Sequence, residues 1–162
     1  MHTNIKINTT ACFIGHRSIK ETQELKNRLY EIIEILITKN GVDTFLFGSK
    51  SRFNSLCLEI VSLLKEKYPQ IKRIYLRAEY PVINDSYENY LLEYYEQTYY
   101  PERLKKAGRA VYVERNFEMI EKSNFCIFYY NEQNAPTNRK SGTKIAIDYA
   151  KTKKKQIINV FG

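Results

Sequence analysis

Ala11-Cys12-Phe13-Ile14-Gly15-His16-Arg17-Ser18-Ile19-Lys20-Glu21 is the stretch that decides the fold. Its four leading apolar residues are a run short enough for a buried strand, and Gly15 stops it. Ser18 and Glu21 then have the spacing of a capping box, ahead of Leu25, Leu29, Ile32, Ile33, Leu36 and Ile37 at helical intervals. Strand, glycine turn and long helix make the opening unit of an α/β chain, and the unit recurs. Residues 42–47 read as a second strand ending at Gly48, and residues 54–68 as a helix with Leu56, Ile60, Leu63 and Leu64 on one face. Strands are predicted at 71–76, 125–130 and 156–161, and helices at 114–122 and 143–152. The alternation predicts a doubly wound, mostly parallel sheet of about five strands, with helices on both faces, in one domain spanning 1–162.

At 162 residues the chain can bury one substantial core. The 43% hydrophobic content argues against disorder, and no apolar run approaches the roughly 20 residues that span a bilayer. The polar N-terminus lacks the apolar region of a signal peptide, which predicts a soluble, cytoplasmic protein. Cys12, Cys57 and Cys126 form no CxxC pair and read as reduced core thiols rather than catalytic or metal-binding groups. The formal charge of +8 fits either a nucleic-acid surface or a field that draws in small anions. Its densest cluster, Lys151 with Lys153 to Lys155, falls where the last helix should end, a place where cations complement the helix dipole.

Residues 87–100 interrupt the alternation. Tyr87, Tyr90, Leu91 and Tyr94 would share a face of a tyrosine-rich helix or lid, suited to packing on the sheet or a second subunit, or to stacking on a nucleobase.

In doubly wound sheets ligands bind beyond the carboxyl ends of the strands. The loops there are Gly15-His16-Arg17, Gly48-Ser49-Lys50, Ala78-Glu79-Tyr80 and residues 131–142. The last leads into Ser141-Gly142-Thr143, a small turn opening a helix. Helix N-termini carry unpaired N–H groups and partial positive charge, so such a turn can hold a phosphate, or can simply cap the helix. Arg17 and Arg115 can each form paired hydrogen bonds with phosphate, and Arg139 and Lys140 would add charge beside Gly142. His16 can contact phosphate or ribose, or satisfy local backbone groups; Asn116 can recognise a ribose hydroxyl, or hold its loop.

Ile14-Gly15-His16-Arg17, the run Arg115-Asn116-Phe117-Glu118-Met119-Ile120-Glu121-Lys122-Ser123-Asn124, and Ser141-Gly142-Thr143 together resemble the SLOG superfamily. This is the Rossmann-like fold shared by the LONELY GUY phosphoribohydrolases and DNA-processing protein A. The closest likeness is to its small bacterial stand-alone branch, over nearly the whole chain. The resemblance implies a nucleotide-derived ligand at the glycine turn with its phosphate on the last helix, and it suggests a homodimer. In the phosphoribohydrolases an arginine before the methionine helix and a glutamate three residues after the glycine-threonine pair serve catalysis. Arg115 matches the first, but the second position is Ala146, whose methyl group can do no acid/base work. The chain also has Arg52-Phe53-Asn54 where the family often has Gly-Phe-Asp, and Asn138-Arg139-Lys140-Ser141 in place of a Pro-Gly-Gly leader.

The leading expectation is therefore a protein that binds or senses a nucleotide-derived ligand through Gly15, His16, Arg17, Gly48, Ser49, Arg115, Asn116, Ser141, Gly142 and Thr143. One alternative is hydrolysis of an N-glycosidic or phosphoester bond with a different carboxylate, Glu79, Asp85 or Glu118. Another is single-stranded DNA binding, suggested by the net charge. No Walker A loop, GxGxxG or zinc spacing predicts a cofactor or metal.

Overall fold

The computed structural model describes residues 9–105, 108–134 and 141–162. Six strands, β1 (Thr9–Gly15), β2 (Val42–Phe47), β3 (Lys72–Leu76), β4 (Gln97–Tyr99), β5 (Phe125–Tyr129) and β6 (Gln156–Asn159), form one sheet in the order β4-β3-β2-β1-β5-β6. Every neighbouring pair is parallel. The helices are α1 (Gln23–Asn40), α2 (Arg52–Lys67), α3 (Asp85–Leu92), α4 (Ala110–Lys122) and α5 (Gly142–Thr152). This is the α/β, Rossmann-like architecture that the alternation of elements predicts. The strand order reverses between β1 and β5, so the crevice for a ligand opens where those two strands end.

Alternate strand residues divide the core into two layers. Ala11, Phe13, Phe45, Phe47, Ile127 and Tyr129 pack with α1 and α2, while Cys12, Ile14, Leu46, Cys126 and Phe128 pack with α4 and α5. The central strands are apolar on both faces because both are covered. All three cysteines are free and buried, and burial pushes the Cys12 and Cys57 thiols up from their ordinary values. Among the described residues, no helix is long and apolar enough to cross a membrane.

The sheet departs from the sequence reading in its sixth strand. Residues 97–99 belong to the segment read as a tyrosine-rich helix or lid, yet α3 ends at Leu92 and the chain turns into β4. The N–H groups of Tyr94 and Tyr95 fold back onto the Leu91 carbonyl at 3.0 and 2.9 Å. Glu96 then locks the edge: its N–H donates to the Arg73 carbonyl at 2.8 Å, and its carboxylate accepts from the Arg73 N–H at 2.8 Å and from the guanidinium at 2.6 Å. A strand of three residues carries no readable alternation, so the partner across the sheet decides it.

Two helix starts also shift. The N-cap of α1 is Thr22, whose hydroxyl accepts from the Leu25 N–H at 3.1 Å. The capping box expected at Ser18 does not form: α1 starts only at Gln23, and Glu21 lies before it, paired with Arg52. α4 begins at Ala110, four residues earlier than expected, which moves Arg115 from the first turn of the helix into its second.

Candidate functional site

The site is built from the ends of β1, β2 and β3 and from α4 and the start of α5 on one face of the sheet. They surround a cavity of about 770 Å³, a size typical of small-molecule sites. All ten residues singled out from the sequence line it. Gly15, His16 and Arg17 follow β1, Gly48 and Ser49 follow β2, Arg115 and Asn116 come from α4, and Ser141 to Thr143 start α5.

α5 meets the cavity with its N-terminus. Ser141 caps the helix by accepting from the Lys144 N–H at 3.1 Å. The first-turn N–H groups have no carbonyl partner within a helix, and those of Gly142 and Thr143 stand at the cavity wall. Among the described residues, a Cβ at Gly142 would meet nothing within 4 Å, so they leave that entrance open. Arg139 and Lys140 lie outside the described residues. The lysine cluster sits at the far end of α5, where Lys153 pairs with Glu121 at 3.6 Å, and contributes nothing to the cavity.

Arg115 is the exceptional group. It is only 6% exposed, it lines the cavity, and among the described residues its Nε has no hydrogen-bond partner. One Nη donates to Asn116 Oδ1 at 3.3 Å, and the guanidinium carbon lies 5.6 Å from the Tyr112 ring centre. Burial holds its pKa down at about 10, against the opposing pull of Tyr75, Tyr112 and Glu79, so it remains a cation at neutral pH. A buried cation with a spare donor is the arrangement that an arriving anion completes.

His16 has its ring nitrogen occupied. In the neutral ring Nε2 accepts from the Asn131 N–H at 2.8 Å, with the Asn131 carbonyl 3.3 Å away, and burial lowers the pKa against the opposing pull of that carbonyl. Of the two roles open to it, the structure supports the local one, tying the end of β1 to the end of β5. Asn54, in α2, ties β1 to β2: its Nδ2 donates to the Phe13 carbonyl at 3.1 Å and its Oδ1 accepts from the Gly48 N–H at 3.2 Å.

Several lining residues carried no sequence signal. Arg77 directly follows β3, Tyr75 lies within that strand, and Tyr112 precedes Arg115 by one turn on α4; helical spacing back from Arg115 was the available clue to the last. With Arg17, Lys50, Arg77 and Arg115 against Glu79, the described lining is cationic. Of the three carboxylates considered for hydrolysis, Glu79 alone lines the cavity, where it accepts a hydrogen bond from the Tyr112 hydroxyl. Glu118 accepts from the Tyr99 hydroxyl at 3.3 Å and Asp85 opens α3, both outside the lining. Ala146 is 1% exposed and packs in the core layer with Cys12 and Ile14, so its side chain is directed at the sheet.

An open parallel α/β sheet with a cavity beyond its strand ends defines a Rossmann-like architecture. Among solved structures, the chain is similar in fold to DNA processing protein A from Helicobacter pylori, which binds single-stranded DNA, with a TM-score of 0.60 at 17% sequence identity. The match covers 92% of this chain and 63% of that protein. No protein-family model matches the sequence, and no curated protein matches it.

Proposed function

We propose that the chain binds a nucleotide-derived ligand, with a phosphate held between the N-terminus of α5 and Arg115. The observation that carries this reading is the buried Arg115 guanidinium, whose Nε lacks a partner among the described residues, on the same cavity as Gly142 and Thr143 at the start of α5. Backbone amides and a desolvated arginine reinforce each other on a shared anion, since each is weakly solvated by competing water. The volume suits a mononucleotide, and Ser49 and Asn116 offer partners for ribose hydroxyls. The family motifs add the SLOG superfamily as the source of this arrangement. Binding is favoured over hydrolysis because position 146 is an inward-facing alanine and the Glu79 carboxylate is engaged by a phenol. Calorimetric titration with adenosine and uridine monophosphates, ADP-ribose and cyclic nucleotides tests the reading. Micromolar binding that Arg115→Ala weakens at least tenfold supports it; no binding to any of them, or binding indifferent to Arg115→Ala, overturns it.

A second reading is supported by the fold of the structural neighbour and by the cationic lining: the phosphate belongs to single-stranded DNA. Contacts to several phosphates would make affinity fall steeply with salt and rise with oligonucleotide length. Affinity for a mononucleotide equal to that for a 20-mer, with a shallow salt slope, rejects this second reading.

A further inference from the structure

We propose that Tyr80 is a preset stacking platform for a planar base and that Arg77 is the residue that positions it. The inference rests on the nucleotide reading above and adds to it how the base is recognised.

The backbone of Tyr80 has φ of 62°, a left-handed conformation that a bulky non-glycine residue adopts only when its surroundings enforce it. Arg77 supplies the enforcement. Its Nε donates to the Tyr80 carbonyl at 3.1 Å and an Nη to the Pro81 carbonyl at 3.4 Å. The other Nη donates to Thr98 Oγ1 at 3.2 Å, and the Thr98 hydroxyl donates in turn to the Tyr75 carbonyl at 2.9 Å. The Arg77 guanidinium is thus spent on the loop and anchored to the β3–β4 edge, although it lines a cavity that attracts anions.

The strained loop presents a ring and leaves it uncovered. Tyr80 is 58% exposed, with Tyr87 packed against it at 6.3 Å in an edge-on arrangement. A second cavity of about 410 Å³ adjoins the first and shares Lys50, Tyr80 and Tyr87 with it, its remaining wall being Val82, Ile83 and Asn84. The first compartment holds the arginines and the start of α5, whereas the second holds no arginine among the described residues and is walled by Val82 and Ile83 beside the shared Tyr80 and Tyr87. A ligand with an anionic end and a flat heteroaromatic end fits that division, and the continuity of the two cavities at Tyr80 makes the flat end part of the same molecule. Fixing the ring beforehand removes the ordering cost that a mobile tyrosine would add to binding.

The test compares adenosine 5′-monophosphate with ribose 5-phosphate, which lacks the base, by calorimetry on the full chain. The native protein should bind the nucleotide roughly tenfold or more tightly than the sugar phosphate. Tyr80→Ala should erase that preference without changing ribose 5-phosphate affinity, and Tyr80→Phe should retain it. Arg77→Lys, which keeps the charge but loses the fork, should also lose the preference. The adenine H2 and H8 resonances should move upfield on binding to the native protein and to Tyr80→Phe, and not on binding to Tyr80→Ala. Equal affinities for the two compounds in the native protein, or an unchanged preference in Tyr80→Ala, overturn the role of Tyr80 while leaving phosphate binding in place. Binding of neither compound overturns the nucleotide reading and this inference together.

Discussion

Gly48 and Arg115 are packed so closely that a Cβ on residue 48 would stand 2.7 Å from the arginine Cδ and Nε. The end of β2 therefore needs a residue without a side chain so that a buried guanidinium from α4 can pass over it. Gly48→Ala should displace Arg115, destabilise the fold by about 1–3 kcal/mol and remove nucleotide binding. Gly142→Ala makes the control, since nothing among the described residues lies within 4 Å of that Cβ. It should leave the melting temperature nearly unchanged and weaken phosphate binding, because the new methyl group crowds the helix entrance. Equal effects of the two substitutions on stability would contradict this difference.

The buried charge of Arg115 costs the fold stability. Its pKa is depressed to about 10, so its folding contribution is favourable above the unfolded value and is lost as pH falls through 10. At pH 7 the charged guanidinium is thus a cost to the ligand-free fold. Arg115→Met should leave the protein as stable or more so, by up to about 1–3 kcal/mol, while abolishing anion binding. Chemical denaturation at pH 7 reads the first effect and calorimetry the second. A large loss of stability in Arg115→Met would mean that the arginine serves packing alone.

His16 confers a dependence on mildly acidic pH. Burial lowers its pKa below the ordinary 6.5, and protonation would remove the lone pair that accepts the Asn131 N–H. The associated stability is complete above pH 6.5 and is lost as pH falls through the lower folded value. Relative to His16→Gln, the native protein should lose stability as pH falls below 6.5, with a slope of at most about 1.4 kcal/mol per pH unit. Parallel stability profiles for the two proteins would show that His16 does not titrate in this way.

Asn54 holds the ends of two strands by donating to one and accepting from the other. Asp at this position accepts only, and its oxygen would face the Phe13 carbonyl. Asn54→Asp should cost roughly 1–3 kcal/mol in denaturation at pH 7, with a smaller cost at pH 4 where the carboxyl regains a proton to donate. An undiminished cost at pH 4 would point to packing instead of the lost donor.

The sequence by itself determined the α/β class, five of the six strands and which loops meet, because hydrophobic periodicity, glycine stops and the rule that sites gather at strand ends are local or topological. It also singled out Arg115 and the Ser141 to Thr143 turn as anion groups. Tertiary structure decided what no local pattern encodes. β4 exists because Glu96 meets Arg73 across 23 residues of chain, and α1 starts only at Gln23, with Glu21 before it paired with Arg52. The same holds for chemistry: Arg17 and Arg115 look alike as letters, but only packing against Gly48 leaves one of them buried with a donor unpaired among the described residues. Burial and pairing depend on distant parts of the chain, and these set the energy of a charge.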